Sequence, residues 1–106
     1  MRVIAKRMLR EFWGKVPASR GALEDWHNRA EHARWLRPQD VKATFGRADP
    51  MLINGRHVVV INIMGIRYRL ITTVAYATVS TMGVIYTREV LAHAEYDTNQ
   101  WKRRIA

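Results

Sequence analysis

Residues 91–97 read LAHAEYD, and the last five of them place His93, Glu95, Tyr96 and Asp97 together in an otherwise basic chain. An imidazole, two carboxylates and a phenol at one strand exit are the groups that proton transfer needs. Histidine is the side chain whose charge changes near neutral pH, which suits it to general base or general acid work. A second set lies upstream, in NIMGIRYR (62–69), where Asn62, Arg67 and Arg69 flank a glycine. A guanidinium matches phosphate oxygens in a bidentate way, so two arginines beside an asparagine can form a cationic floor for a phosphate. Each group also has a plainer account. An antiparallel sheet commonly leaves one face wet, His93 can be a surface histidine, Glu95 and Asp97 can open a C-terminal helix whose dipole favours acids, and Tyr96 can be a core aromatic.

The elements around these residues follow from periodicity. HVVVINIM (57–64), RYRLITTVAY (67–76) and GVIYTREV (83–90) are rich in β-branched and aromatic residues and read as strands. Gly65-Ile66 fits a two-residue type II′ turn, because glycine supplies the positive φ. That turn sets Met64 opposite Arg67, Asn62 opposite Arg69 and Val60 opposite Ile71. Alternation then assigns Val59, Ile61, Ile63, Tyr68, Leu70, Thr72 and Val74 to one apolar face. Val58, Val60, Asn62, Met64, Arg67, Arg69, Ile71 and Thr73 fall on the other. The register of the third strand is open, since the 76–83 connection is ambiguous.

Helices precede the strands. Met8, Leu9, Phe12, Trp13 and Val16 form an amphipathic stripe that Pro17 ends. Ser19 is placed to cap a second helix with Ala22, Leu23, Trp26, Ala30 and Ala33 on its apolar side. Pro38 suits the first turn of a short third helix that buries Val41 and Phe45, with Gly46 placed to close it. RVIA (2–5) reads as an edge strand, and GRADPMLINGR (46–56) as a loop by composition. Strand, helices and then a meander of strands define an α+β domain spanning 1–106, with a basic tail from about 98 that Trp101 can partly order.

The net charge of +9 on 106 residues favours a polyanionic partner: RNA, DNA, an anionic membrane or an acidic protein. Without cysteine, neither a disulfide framework nor a thiolate metal site can form. His27 and His32 are five apart, a poor match to the i, i+4 metal pair, so no metal is assigned. No glycine loop or cofactor signature suggests a nucleotide cofactor, and none is assigned. The opening residues lack a secretory h-region, and no stretch approaches the roughly 18–20 apolar residues of a membrane span. The expectation is a soluble, cytoplasmic protein.

Four segments together carry a family resemblance. MRVIAKRMLREFW (1–13), ARWLRPQDVKATF (33–45), NGRHVVVINIMGIRYRLI (54–71) and HAEYD (93–97) resemble, in order, the pieces of the HigB toxins of type II toxin–antitoxin systems, in the RelE-like superfamily. Ile66, Arg67 and Thr98 stand where that family usually has asparagine, lysine and lysine, and no candidate catalytic group is lost. The resemblance implies a compact RelE-like domain, with N-terminal helices packed on one face of a small antiparallel sheet. It implies a metal-independent endoribonuclease, an mRNA interferase acting on translating ribosomes, with mRNA and the ribosome as partners and a HigA-type helix-turn-helix antitoxin. Arg69, His93 and Tyr96 are then the catalytic candidates, and Asn62, Arg67 and Asp97 the substrate-binding ones. A different class of protein, a non-catalytic basic RNA- or ribosome-binding module controlled by a partner, fits the charge equally well.

Overall fold

The structure is a computed structural model that describes residues 1–105. The chain runs β1 (Arg2–Ile4), α1 (Lys6–Lys15), α2 (Arg20–His32), α3 (Pro38–Thr44), β2 (Asp49–Ile53), β3 (Arg56–Ile63), β4 (Tyr68–Ala75), β5 (Val84–Ala92) and the one-turn α4 (His93–Asp97), followed by a 3-10 helix at Gln100–Arg104. One five-stranded sheet has the order β1-β5-β4-β3-β2. It is mixed rather than wholly antiparallel, because β1 lies parallel to β5 with Val3 beside Ile85.

The β3–β4 register is the one that alternation dictates: Asn62 pairs with Arg69, and Val60 with Ile71. The ladder ends at Ile63–Tyr68, and Met64 joins Gly65 at positive φ in the turn. Val59, Ile61, Ile63, Leu70 and Val74 face the helices and meet Leu9, Leu23, Trp26, Ala30 and Val41 in the main core. Phe12 of α1 stands edge-on to Tyr68 at 5.3 Å. Phe45 lies between Trp26, stacked at 6.4 Å, and the edge of Trp35 at 6.1 Å.

Three local expectations change. Residues 49–53, expected as loop, form the edge strand β2, paired with β3 through Ile53–Arg56. Asn54 and Gly55 both take positive φ between them, the backbone that a tight hairpin requires. Pro50 is tolerated because β2 is an edge strand. Ser19 occupies the cap position of α2, yet its hydroxyl donates backwards to the Val16 carbonyl at 2.7 Å. Gly46 does not close α3 by a left-handed turn. The helix ends at Phe45, whose N–H donates to the Val41 carbonyl, while the Asp40 carboxylate accepts from the Leu36 and Arg37 N–H groups at its start.

The other sheet face is not simply wet. Away from the β3–β4 turn it carries a second small core of Val58, Val60 and Ile71, extended by Leu91 beside Arg69 and closed by Trp101 and Ile105 of the C-terminal segment. Trp101 is fully buried, and the Asn54 side chain donates to the Ile105 carbonyl at 2.8 Å. Arg104 grips Glu89 through two bonds of 2.9 Å. The basic tail is therefore an ordered second layer, with Ala106 outside the described residues.

Burial also sets a pH dependence. His27 of α2 is buried, and its Nδ1 lies 3.0 Å from Glu31. Desolvation holds its pKa below the ordinary value. Glu31 opposes that shift, and Lys6 and Arg10 of α1 reinforce it. The unfolded chain thus binds this proton more readily than the folded one, so His27 favours folding fully above about pH 6.5, the unfolded value. That contribution is lost as pH falls from there through the depressed folded value. The melting temperature should fall between pH 7.5 and 5.5, and fall less in His27→Gln. Equal losses in both proteins would count against burial of a neutral His27.

Candidate functional site

The site is built where the polar end of the second sheet face meets the exit of β5. Arg69 sits on β4 with Asn62 beside it on β3 and Leu91 on β5. Two residues past Leu91 the chain turns into α4, and the His93 N–H donates to the Arg67 carbonyl at 3.0 Å. The ladder thereby fixes His93 next to Arg69. One Arg69 terminal nitrogen, Nη2, lies 3.3 Å from His93 Nδ1, and the other, Nη1, donates to the Ile66 carbonyl at 2.6 Å. His93 Nε2 lies 3.1 Å from the Asp97 carboxylate, one helical turn on.

These contacts select a tautomer. Arginine only donates, so Nδ1 of His93 accepts from Arg69, and the ring proton sits on Nε2, facing Asp97. An imidazole whose Nδ1 lone pair meets Arg69 and whose Nε2–H meets a carboxylate is held in one orientation, and Nδ1 opens to a substrate proton when the guanidinium turns to a phosphate instead. Asp97 is thus placed to orient His93.

Tyr96 takes a different place. Its ring stacks on Trp101 at 5.4 Å with 17° between planes, and the Arg69 guanidinium lies over it at 5.2 Å. These contacts occupy the ring, so the phenol group rather than a stacking face is what Tyr96 offers a substrate. Burial first, and then the charge of Asp49, push the phenol above its ordinary pKa. Arg69 pulls it down and Asp97 adds to the rise. The phenol stays protonated at neutral pH and is a donor.

Arg69, His93, Tyr96 and Asp97 are therefore one connected group, with Asn62 across the ladder from Arg69. Arg67 touches the group through its main chain, and its exposed side chain stands at the turn. Two members escaped sequence reasoning. Trp101 backs Tyr96, and its indole N–H donates to the Tyr96 carbonyl at 3.2 Å. Asp49 acts on the phenol by charge. The signal for Trp101 was one large aromatic in a basic tail, whereas Asp49 lay in a stretch read as loop. Among the described residues, no group of three His, Asp or Glu side chains is arranged to hold a metal ion.

A mixed five-stranded sheet with helices packed on one face is a RelE-like architecture. The HigB toxin family, the RelE-like toxic component of a toxin–antitoxin system, matches residues 19–99. The chain belongs to that family, and an antitoxin is its partner. None of the curated proteins compared with it matches. Among the described residues no helix is long and apolar enough to cross a membrane.

Proposed function

We propose that this toxin is a metal-independent endoribonuclease that cuts messenger RNA on the translating ribosome in the cytoplasm, and that its antitoxin is a HigA-type helix-turn-helix protein. The observation that carries the reading is Arg69 in contact with both His93 and Tyr96, with Asp97 behind the histidine. RNA holds its own nucleophile, the 2′-hydroxyl. As Arg69 turns from His93 to the phosphate, the freed Nδ1 takes the proton of that hydroxyl while its oxygen attacks the adjacent phosphorus. The bond to the 5′-oxygen breaks, and the Tyr96 phenol gives that oxygen a proton, leaving a 2′,3′-cyclic phosphate and a 5′-hydroxyl. Arg69 stabilises the charge that builds on the phosphoryl oxygens, and Asn62 and Arg67 hold the strand beside it.

The test is to incubate the purified chain with ribosomes translating a defined message and to map the ends. The expected products carry 2′,3′-cyclic phosphate and 5′-hydroxyl termini. Ribosome binding should also weaken steeply from low to moderate salt, because a +9 chain that neutralises phosphates releases counterions. Salt-sensitive binding with an uncut message would leave the protein a binding module. A flat salt response would remove the electrostatic argument.

A further inference from the structure

A second cationic surface lies on the same sheet face as Arg69, at the far end of the strands. Tyr86 of β5 stands between Thr73 of β4 and Ile4 of β1, and Thr73 pairs onward with Val58. Arg2 and Arg56 come two residues before Ile4 and Val58, so alternation keeps both on this face. The irregularity in β5 adds Arg88, whose Nε donates to the Thr73 hydroxyl at 3.0 Å. That bond leaves both terminal guanidinium nitrogens of Arg88 for other acceptors. Thr73 is four residues from Arg69, about 13 Å along β4. Trp101 and Ile105 pack over Val60 and Ile71 between the two ends.

Tyr86 differs from the other three tyrosines. Tyr68 meets Phe12, Tyr76 meets His57, and Tyr96 meets Trp101 and Arg69. Among the described residues no ring or cation lies against Tyr86, and it is 41% exposed. It borders an open hollow of about 210 Å³ together with Gly55, Arg56, Thr73 and Ala75. Arg2 and Arg56 are exposed and make no side-chain hydrogen bond or ion pair among the described residues. The acids of this face lie toward the other end. Asp49 is opposite Val60, and Glu89 is opposite Ile71 in the grip of Arg104. Three guanidiniums therefore frame a free aromatic ring with no acid among them.

This combination selects among polyanions. A membrane surface is held in proportion to the apolar area it buries, and Tyr86 is the one large apolar residue exposed on this face among the described residues. An acidic peptide would use the arginines and leave the ring idle. A nucleotide uses both, its base on the ring and its phosphates on the guanidiniums. A free nucleotide needs a concave site that buries most of it, and the hollow is small and open. One ring also accepts one base rather than a run of them. The fitting occupant is a single unpaired base of a structured RNA, splayed out and stacked on an aromatic side chain.

We propose that this far end of the sheet is a second RNA contact, separate from the cleavage site, that takes one unpaired base of ribosomal RNA. The base stacks on Tyr86, and the flanking phosphates meet Arg2, Arg56 and Arg88. The C-terminal layer stands between this surface and Arg69, so the strand held here is not the strand being cut. The ribosome as source of the RNA rests on the proposed function; the stacking does not rest on the cleavage chemistry.

The experiment measures binding of the full-length chain to ribosomes with and without message, and probes the reactivity of their unpaired bases. Tyr86→Leu keeps an apolar strand residue but has no π face. It should raise Kd for message-free ribosomes roughly tenfold, the worth of one stacked base, while Tyr86→Phe stays near wild type. Arg56→Glu should also weaken binding and lower its salt slope by about one released ion. Lys42→Glu, a charge reversal on α3 across the sheet, should matter far less. One base of ribosomal RNA should be protected by the wild type and left reactive by Tyr86→Leu. Thermal unfolding checks each variant, and Arg56→Glu repeats the test without altering the ring. Folded Tyr86→Leu and Arg56→Glu chains with the wild-type Kd overturn the proposal and leave the nuclease standing. If the Tyr86-dependent protection falls on the message instead, the occupant is the cut strand, and the proposal is wrong. If Tyr86→Leu spares the ribosome and weakens the antitoxin complex, the surface belongs to that protein, and the proposal is equally wrong. A wild-type chain that binds ribosomes and protects this base without cutting the message removes the nuclease and supports the second contact. One that binds no ribosome removes both.

Discussion

If the proposed cleavage is correct, replacing His93 with glutamine should lower its rate on the order of 10²–10⁴, the range for losing a proton-transfer group, and leave the fold untouched. An intact fold is what ties the lost rate to the imidazole. The His93 side chain is 47% exposed and lies in a one-turn helix, outside both cores. Surface substitutions of that kind stay within about 0.5 kcal/mol, so the variant should melt with the wild type and still bind ribosomes. Arg69→Ala should cost on the order of 10²–10³ by removing charge stabilisation. Asp97→Asn should cost less than His93→Gln, because Asp97 acts through the imidazole it orients. Rates for mapped ends on ribosome-bound message give the comparison, with thermal unfolding alongside. A folded, ribosome-binding His93→Gln chain that cuts at the wild-type rate would place the base elsewhere, with the basic residues of α1 and α2 as the next candidates.

The residues differ in how readily a sequence gives them away. The β3–β4 register was legible because alternation along both strands can satisfy an apolar face in only one way. A slip by one residue would turn Val59, Ile61 and Leu70 outward. HAEYD at the exit of a strand was equally legible. What joins the two is not. His93 reaches Arg69 only through the β4–β5 ladder, which carries an irregularity at Ile71/Thr72 that leaves Arg88 unpaired between Thr87 and Glu89. An extra residue of that kind follows from no local pattern. β2 was missed for another reason. The composition of 46–56, with its glycines and Pro50, outweighed Asn54-Gly55, which is itself a strong short-range hairpin signal. The second core was only half legible, because Trp101 marked the tail as partly ordered but one tryptophan and one isoleucine among lysine and arginine do not tell what they cover. Burial there is decided by Val58, Val60 and Ile71 on the sheet, which need a cover.

That cover is the basis of the second large effect: Trp101→Ala should destabilise the C-terminal layer and weaken the proposed site together. Trp101 is fully buried against the second core, is stacked on Tyr96, and has the Lys102 ammonium 5.8 Å from its ring. Truncating a buried tryptophan costs about 3–5 kcal/mol, a large share of the roughly 5–15 kcal/mol that holds a domain folded. For a chain of this size the melting temperature should drop by more than about 10 °C. Below that lowered transition the variant is folded, and there the functional loss can be read apart from stability. Tyr96 then lacks its backing, so cleavage should fall toward the level of Tyr96→Phe. Trp101→Phe separates the two contributions. It keeps an aromatic face under Tyr96 but removes the indole N–H that donates to the Tyr96 carbonyl. That carbonyl still accepts the Asn99 N–H at 3.1 Å, so the loss is one hydrogen bond of two, about 0.5–1.5 kcal/mol. Its cleavage should stay close to wild type. A Trp101→Ala chain that melts with the wild type would show the C-terminal segment to be no part of the core. A Trp101→Ala chain that is less stable but cuts at full rate when folded would show that Tyr96 needs no support from it.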